Sequence, residues 1–186
     1  MAYRNGTYIA FHANGTSDPT ASDMKYYNTL KMWKVREESE FHFINSHEKT
    51  SSVRDTSARE TLKRSLITRL NSSKNMILII GNTTWQDTDW IPFEIAYAVD
   101  ECSIPIITAY TGYDSILAPA QLSHLWPKAF ADRINNNTAR VIHIPFKQNP
   151  LTDAVSQFHI DNLPDGGLVY YNRETQIQWG LINPFK

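Results

Sequence analysis

NMILIIGNTTWQDTDWIPFEIAYAVDECSIPIITAY, residues 75–110, decides the fold. It opens on Met76-Ile77-Leu78-Ile79-Ile80, an unbroken apolar run too short for a helix and rich in β-branched residues. A strand buried on both faces of a parallel sheet has this composition. The turn formers Gly81-Asn82-Thr83-Thr84 end the run. A helix is expected to start near Asp89, which suits an N-cap. Pro92 is tolerated there because first-turn N–H groups have no partner within the helix. Ile104-Pro105-Ile106-Ile107-Thr108-Ala109-Tyr110 supplies a second buried strand. Strand, helix and strand make a βαβ unit, whose crossover is almost always right-handed.

At about 100° per residue, Ile91, Ile95, Ala98, Val99 and Cys102 share the core face of that helix. Trp90, Glu94, Tyr97 and Glu101 form a neighbouring stripe on its border. Glu94 therefore begins near the C-terminal end of the first strand, on the edge of the buried surface. Open α/β sheets bind their ligands at that end.

Upstream, residues 7–12 read as the first strand, and residues 13–19 as a loop dense in turn formers. Ser22-Asp23 can cap a helix that runs to about residue 35. Residues 40–45 form a second short strand, followed by a polar segment over 46–55. Ser57-Ala58-Arg59-Glu60 has capping-box spacing, with Leu62, Leu66, Ile67 and Leu70 as the apolar stripe behind it. Downstream, residues 111–119 read as loop and 121–134 as helix broken at Pro127. Asn135-Asn136-Asn137 turns into a fifth strand over 140–146, and a last short helix is expected over 151–160. Residues 168–171 and 175–179, joined across Asn172-Arg173-Glu174, read as a β-hairpin.

Strands alternating with helices imply a parallel sheet covered on both faces. The expected architecture is α/β: a flavodoxin-like three-layer sandwich, its five-stranded parallel sheet in the order 2-1-3-4-5. The C-terminal β-hairpin is an appendage to it. One domain should span residues 1–186, with its core at about 7–146 and an extension over 147–186. The switch point between strands 1 and 3 brings the loop after Phe11-His12 beside the loop after Ile80, and both border Glu94.

Composition narrows the functions. A net charge of −1 over 186 residues gives no electrostatic footprint for nucleic acid or an anionic membrane. A single cysteine excludes an internal disulfide framework and fits a reducing cytosol; on its core face Cys102 reads as a small buried hydrophobe. No apolar run approaches the roughly 20 residues of a membrane helix, and no signal-peptide core is seen, so a cytoplasmic protein is expected. The strand ends His12-Ala13-Asn14 and Gly81-Asn82 lack the acids of a phosphoacceptor receiver. Dinucleotide fingerprint, Walker A loop and nucleophile elbow are missing from the sequence. The six histidines are scattered, so no metal is expected.

Several segments, taken together, resemble a known family. They are Tyr8-Ile9-Ala10-Phe11-His12, Phe43-Ile44-Asn45-Ser46, Leu62-Lys63-Arg64-Ser65-Leu66-Ile67, Ile79-Ile80-Gly81-Asn82-Thr83-Thr84-Trp85 and Trp90-Ile91-Pro92-Phe93-Glu94-Ile95. In this order, over roughly residues 7–112, they resemble the TIR-like proteins of the bacterial Thoeris anti-phage system (the Thoeris protein B, TIR-like family). The resemblance implies cleavage of NAD⁺ at the nicotinamide–ribose bond, with Glu94 at the matching catalytic position. It also implies a cyclic ADP-ribose-type messenger read by a separate effector protein, and self-association of the enzyme. NAD⁺ would be the substrate, with no further cofactor.

By matching position, Phe11 and His12 would line the pocket, Ser46 would lie on the loop after strand 2, and Trp90 one turn before Glu94. Asn14 and Asn82 join the site from loop position alone. Ala10 stands where relatives often carry serine, and Asn45 near a position often acidic. Each residue also has a structural reading: Phe11 as core, His12 as a hydrogen-bonded imidazole, and Trp85 and Trp90 as loop packing. Two other functions stay open. One is a TIR-like interaction module without turnover; the other is an enzyme like nucleoside 2-deoxyribosyltransferases, which act on nucleosides and leave NAD⁺ intact.

Overall fold

In the computed structural model, which describes residues 4–12, 23–36, 42–45 and 56–185, the apolar run lies inside β3, Ser73–Ile80. Only Lys74 of this strand is more than slightly exposed. Its neighbours are β1, Gly6–Ala10, and β4, Ile106–Tyr110, both buried along their whole length. Outside them lie β2, His42–Asn45, and β5, Val141–Pro145, in the expected order β2-β1-β3-β4-β5. Every pairing is parallel.

The register explains the core. Ile9, Ile77, Ile107 and Ile142 stand side by side on successive strands. They pack under α1, Met24–Arg36, and α5, Gln148–Gln157. One residue along, the side chains turn to the other face. Tyr8, Met76, Ile106 and Val141 form that row beneath α2, Thr56–Asn71, α3, Trp90–Ala96, and α4, Lys128–Asn135. Truncating a central member such as Ile77 to Ala costs about 2–5 kcal/mol at a site of this kind. From β1 the chain moves to one edge of the sheet, and from β3 to the other, so the switch point falls between β1 and β3.

The C-terminal hairpin is not formed. Val169–Tyr170 is instead a sixth strand, β6, parallel to β5, and Arg173–Gln178 is a helix, α6. β5 has a free edge, and residues 166–170 dock on it, beginning with Val141 N–H donating to Gly166 O at 2.8 Å. Thr175-Gln176-Ile177-Gln178 alternates as a strand does, but Asn172 caps it as a helix, accepting from Thr175 N–H at 2.8 Å. Gln176 is buried because its amide serves both the N–H and the C=O of Ile116 and the C=O of Tyr171.

Smaller differences are local. α5 starts at Gln148, since Pro150 fits a first turn. α2 already includes Ser57, which was expected at its N-cap. Beyond α3 the helix widens into a π turn, Tyr97–Glu101, closed by Cys102 N–H donating to Tyr97 O. Among the described residues no helix is long and apolar enough to cross a membrane.

Candidate active site

Glu94 is set on α3 by capping that differs in detail from expectation. Asp89 holds the N-cap position, but its side chain makes no capping bond. Asp87 does that work: its Oδ1 accepts from Asp89 N–H at 2.9 Å and from Ile91 N–H at 3.4 Å. The Asp89 carboxylate instead grips Arg59 of α2, with Arg59 Nη1 at 2.9 Å, and the guanidinium lies 4.9 Å from the centre of the Trp90 ring. This exposed ion pair contributes little energy. It does hold the start of α3 against α2.

Of the stripe expected on the border of α3, Trp90 and Tyr97 are partly covered, while Glu101 is exposed. From α2, Arg59 lies over Trp90, Lys63 over Phe93, and Asn71 reaches the Tyr97 hydroxyl. Ile91, Ile95, Ala98 and Cys102 are buried as expected, with Val99 partly so. Glu94 is buried with them, only 1 % exposed. Its Oε1 accepts from the Tyr8 hydroxyl of β1 at 2.5 Å, while Oε2 has no partner among the described residues. Burial pushes the carboxyl up to about 8; the Tyr8 bond opposes this and Asp87 adds to it. At neutral pH the group is mostly an uncharged acid. A cation brought next to it would draw its proton away.

Tyr8 was missed as a site residue by reading the sequence. A signal was present: a tyrosine in a strand buried on both faces must find a partner for its hydroxyl.

A second buried polar group joins the ends of β1 and β3. Asp23 N–H donates to His12 O at 3.2 Å, which ties the start of α1 to the end of β1. The Thr84 hydroxyl accepts from Gly81 N–H at 2.8 Å and donates to Asp23 Oδ2 at 3.3 Å. Burial raises the Asp23 carboxyl, against the Thr84 hydrogen bond and the charges of His12 and Lys25. Asp23, expected only as a helix cap, is thus packed into the switch point.

Of the other expected site residues, His12 is partly buried beside this group, and its Nδ1 is buried without a partner among the described residues. Trp90 is partly exposed at the head of α3, packed edge-on against Phe93. Asn82 is exposed on the loop after β3, where its C=O accepts from the indole of Trp85, itself half-exposed. Phe11 is fully buried and stacks on Tyr27, with ring centres 5.2 Å apart. It belongs to the α1–α5 face, opposite the face that holds Tyr8. Asn14 and Ser46 lie outside the described residues.

A parallel sheet in this order, with helices on both faces and the buried acids Glu94 and Asp23 on one side of the chain reversal, defines a doubly wound α/β domain. The family model described as Thoeris protein ThsB, TIR-like domain, matches residues 8–115, from Tyr8 through Glu94 to the loop after β4. That is more than half of the chain, and the chain belongs to this family. Membership supports a role in Thoeris anti-phage signalling. Among solved structures, the chain is similar to one titled a conserved protein from Enterococcus faecalis V583. The match has 17 % identity, covers 94 % of this chain and 96 % of that one, and has a TM-score of 0.42. A likeness at that score adds nothing on the site.

Proposed function

We propose that this chain cleaves NAD⁺ at the nicotinamide–ribose bond and closes the product into a cyclic ADP-ribose-type messenger for Thoeris defence. The observation that carries the reading is Glu94, a buried acid with one oxygen held by Tyr8 of β1 and the other unpartnered among the described residues. Breaking the C1′–N bond sends its electron pair to the ring nitrogen. Nicotinamide then leaves as a neutral molecule and needs no general acid. Positive charge passes to the ribose, which becomes oxocarbenium-like, and an ionised Glu94 stabilises it while accepting from ribose hydroxyls.

Burial holds Glu94 towards the neutral acid, and the arriving pyridinium favours release of its proton to solvent water. Adenine or ribose of the same molecule, held near C1′, closes the ring; an attacking ribose hydroxyl passes its proton to the Glu94 carboxylate, and water attacking in the same way gives open ADP-ribose. In this reading His12, Trp90, Asn82, Asn14 and Ser46 supply substrate contacts, and Phe11 supports them from the core. The protein acts in the cytoplasm, self-associates, and reaches a separate effector through the messenger. NAD⁺ is its substrate, and no metal, further cofactor, nucleic acid or membrane takes part.

The burial of Glu94 favours a second reading, a TIR-like interaction module in which the Tyr8–Glu94 bond is only a core contact. Mass spectrometry of NAD⁺ incubated with concentrated protein separates the two. The enzyme should release nicotinamide and an ADP-ribose isomer, and Glu94→Gln should release neither. Intact NAD⁺ in both samples would support the module. Base exchange between nucleosides, with NAD⁺ intact, would indicate the 2-deoxyribosyltransferase-like activity.

A further inference from the structure

Tyr8 stands inside β1, aligned with Ile44 of β2 on one side and Met76 of β3 on the other. It is fully buried and belongs to the core beneath α2 and α3. Its hydroxyl meets Glu94 Oε1 at 2.5 Å across 86 residues of chain. The donor therefore rides on a strand held on both sides, and the acceptor on a helix packed over it. A glutamate carboxyl otherwise turns easily about its last torsion, which has broad, roughly two-fold preferences. Holding one oxygen fixes where the other points.

We propose that Tyr8 is the positioning residue of the site: by donating to Oε1 it sets the plane of the Glu94 carboxyl and leaves Oε2 as the oxygen that meets the substrate. The inference rests on Glu94 being the acid of an NAD⁺-cleaving site. Two physical effects follow from the contact. Catalytic groups need to be held within about 0.5 Å of their productive place, and a strand-borne donor does this better than a loop. A hydroxyl also bonds a carboxylate more strongly than a neutral acid. Tyr8 thus eases ionisation of Glu94 when substrate arrives.

Tyr8→Phe in the full chain removes only the oxygen, and two measurements read the result. In protein labelled with ¹³C at the glutamate carboxyl, the Glu94 resonance, assigned by its loss in Glu94→Gln, should titrate at higher pH in Tyr8→Phe than in wild type. With NAD⁺, kcat should fall between about tenfold and a hundredfold while KM stays within about twofold. The basic shift should appear in the pH–rate profile as well, which a loss of packing alone would not produce. A fluorinated tyrosine at position 8, a stronger donor of nearly the same size, should move the titration to lower pH. It serves also if Tyr8→Phe fails to fold.

An unmoved Glu94 titration in either variant, or a Tyr8→Phe enzyme with wild-type kcat, overturns the inference. Wild-type protein silent towards NAD⁺ contradicts the proposed function instead. The titration still decides whether Tyr8 controls the acid.

Discussion

Glu94 is held in a place that disfavours its charge, and this gives it a thermodynamic signature separate from activity. Its carboxyl titrates near 4.5 in an unfolded chain and is pushed up to about 8 in the fold. Between those values the folded state keeps a proton that the unfolded state has released. The stabilisation is full below the lower value and is lost as pH rises through the upper one. Glu94→Gln has no proton to lose, so at about pH 9 it should be more stable than wild type by about 1–4 kcal/mol. The gap should shrink towards pH 5; urea midpoints for both proteins at both pH values check it. A second residue-scale expectation concerns Gly81, where an added Cβ would stand 2.6 Å from Asp23 Oδ1. Gly81→Ala should cost about 1–3 kcal/mol, and much less alongside Asp23→Ala, by thermal or urea melts. The direction of Glu94 around its helix was legible in the sequence, because helical spacing sets direction. Its depth was not, because depth depends on how closely α2 lies along Trp90, Phe93 and Tyr97.

At the scale of elements, the βαβ unit was readable because Met76-Ile77-Leu78-Ile79-Ile80 has one interpretation: nothing alternates, so both faces are buried. The C-terminal segment had two interpretations. Thr175-Gln176-Ile177-Gln178 alternates like a strand, while Asn172 followed by Glu174 has the look of a helix start. What decides between them is tertiary: the Ile116 backbone needs partners, and a helix delivers Gln176 to both of its polar groups. Asn172→Ala should therefore cost about 1 kcal/mol through the lost cap, and Asn172→Ser, which keeps a capping oxygen, much less. Thermal melts of the two variants against wild type check this. Asp89 shows the same limit on a smaller scale. Its position was legible, but Arg59 takes its side chain and Asp87 supplies the cap.

Across the whole molecule, one buried hydrogen-bond chain ties the C-terminal segment to the sheet. Trp126 Nε1–H donates to the Tyr110 hydroxyl at 2.7 Å. Gly167 O can only accept, so His143 Nε2 carries the proton and donates to it at 2.8 Å. Nδ1 is then free to accept from Tyr110, also at 2.8 Å. The chain is complete only while His143 is neutral, and burial pushes that imidazole down to about 4 from 6.5. The unfolded state binds the extra proton between those values, so this stability is full above about pH 6.5 and is lost as pH falls towards 4. The loss should reach about 3 kcal/mol, and a His143→Gln variant should lack that part of the pH dependence in urea melts at pH 7.5 and pH 4.5. No spacing in the sequence announced this chain, since its members come from β4, β5, residue 126 and residue 167. The same topology that assembles it also brings Tyr8 of β1 to Glu94 of α3, so the site, like the core, follows from the order of the strands. The most direct test of that site is the rate of nicotinamide release from NAD⁺ by concentrated protein, wild type against Glu94→Gln. Steady release by wild type and none above background for Glu94→Gln is expected; equal rates for the two proteins would contradict the assignment of Glu94.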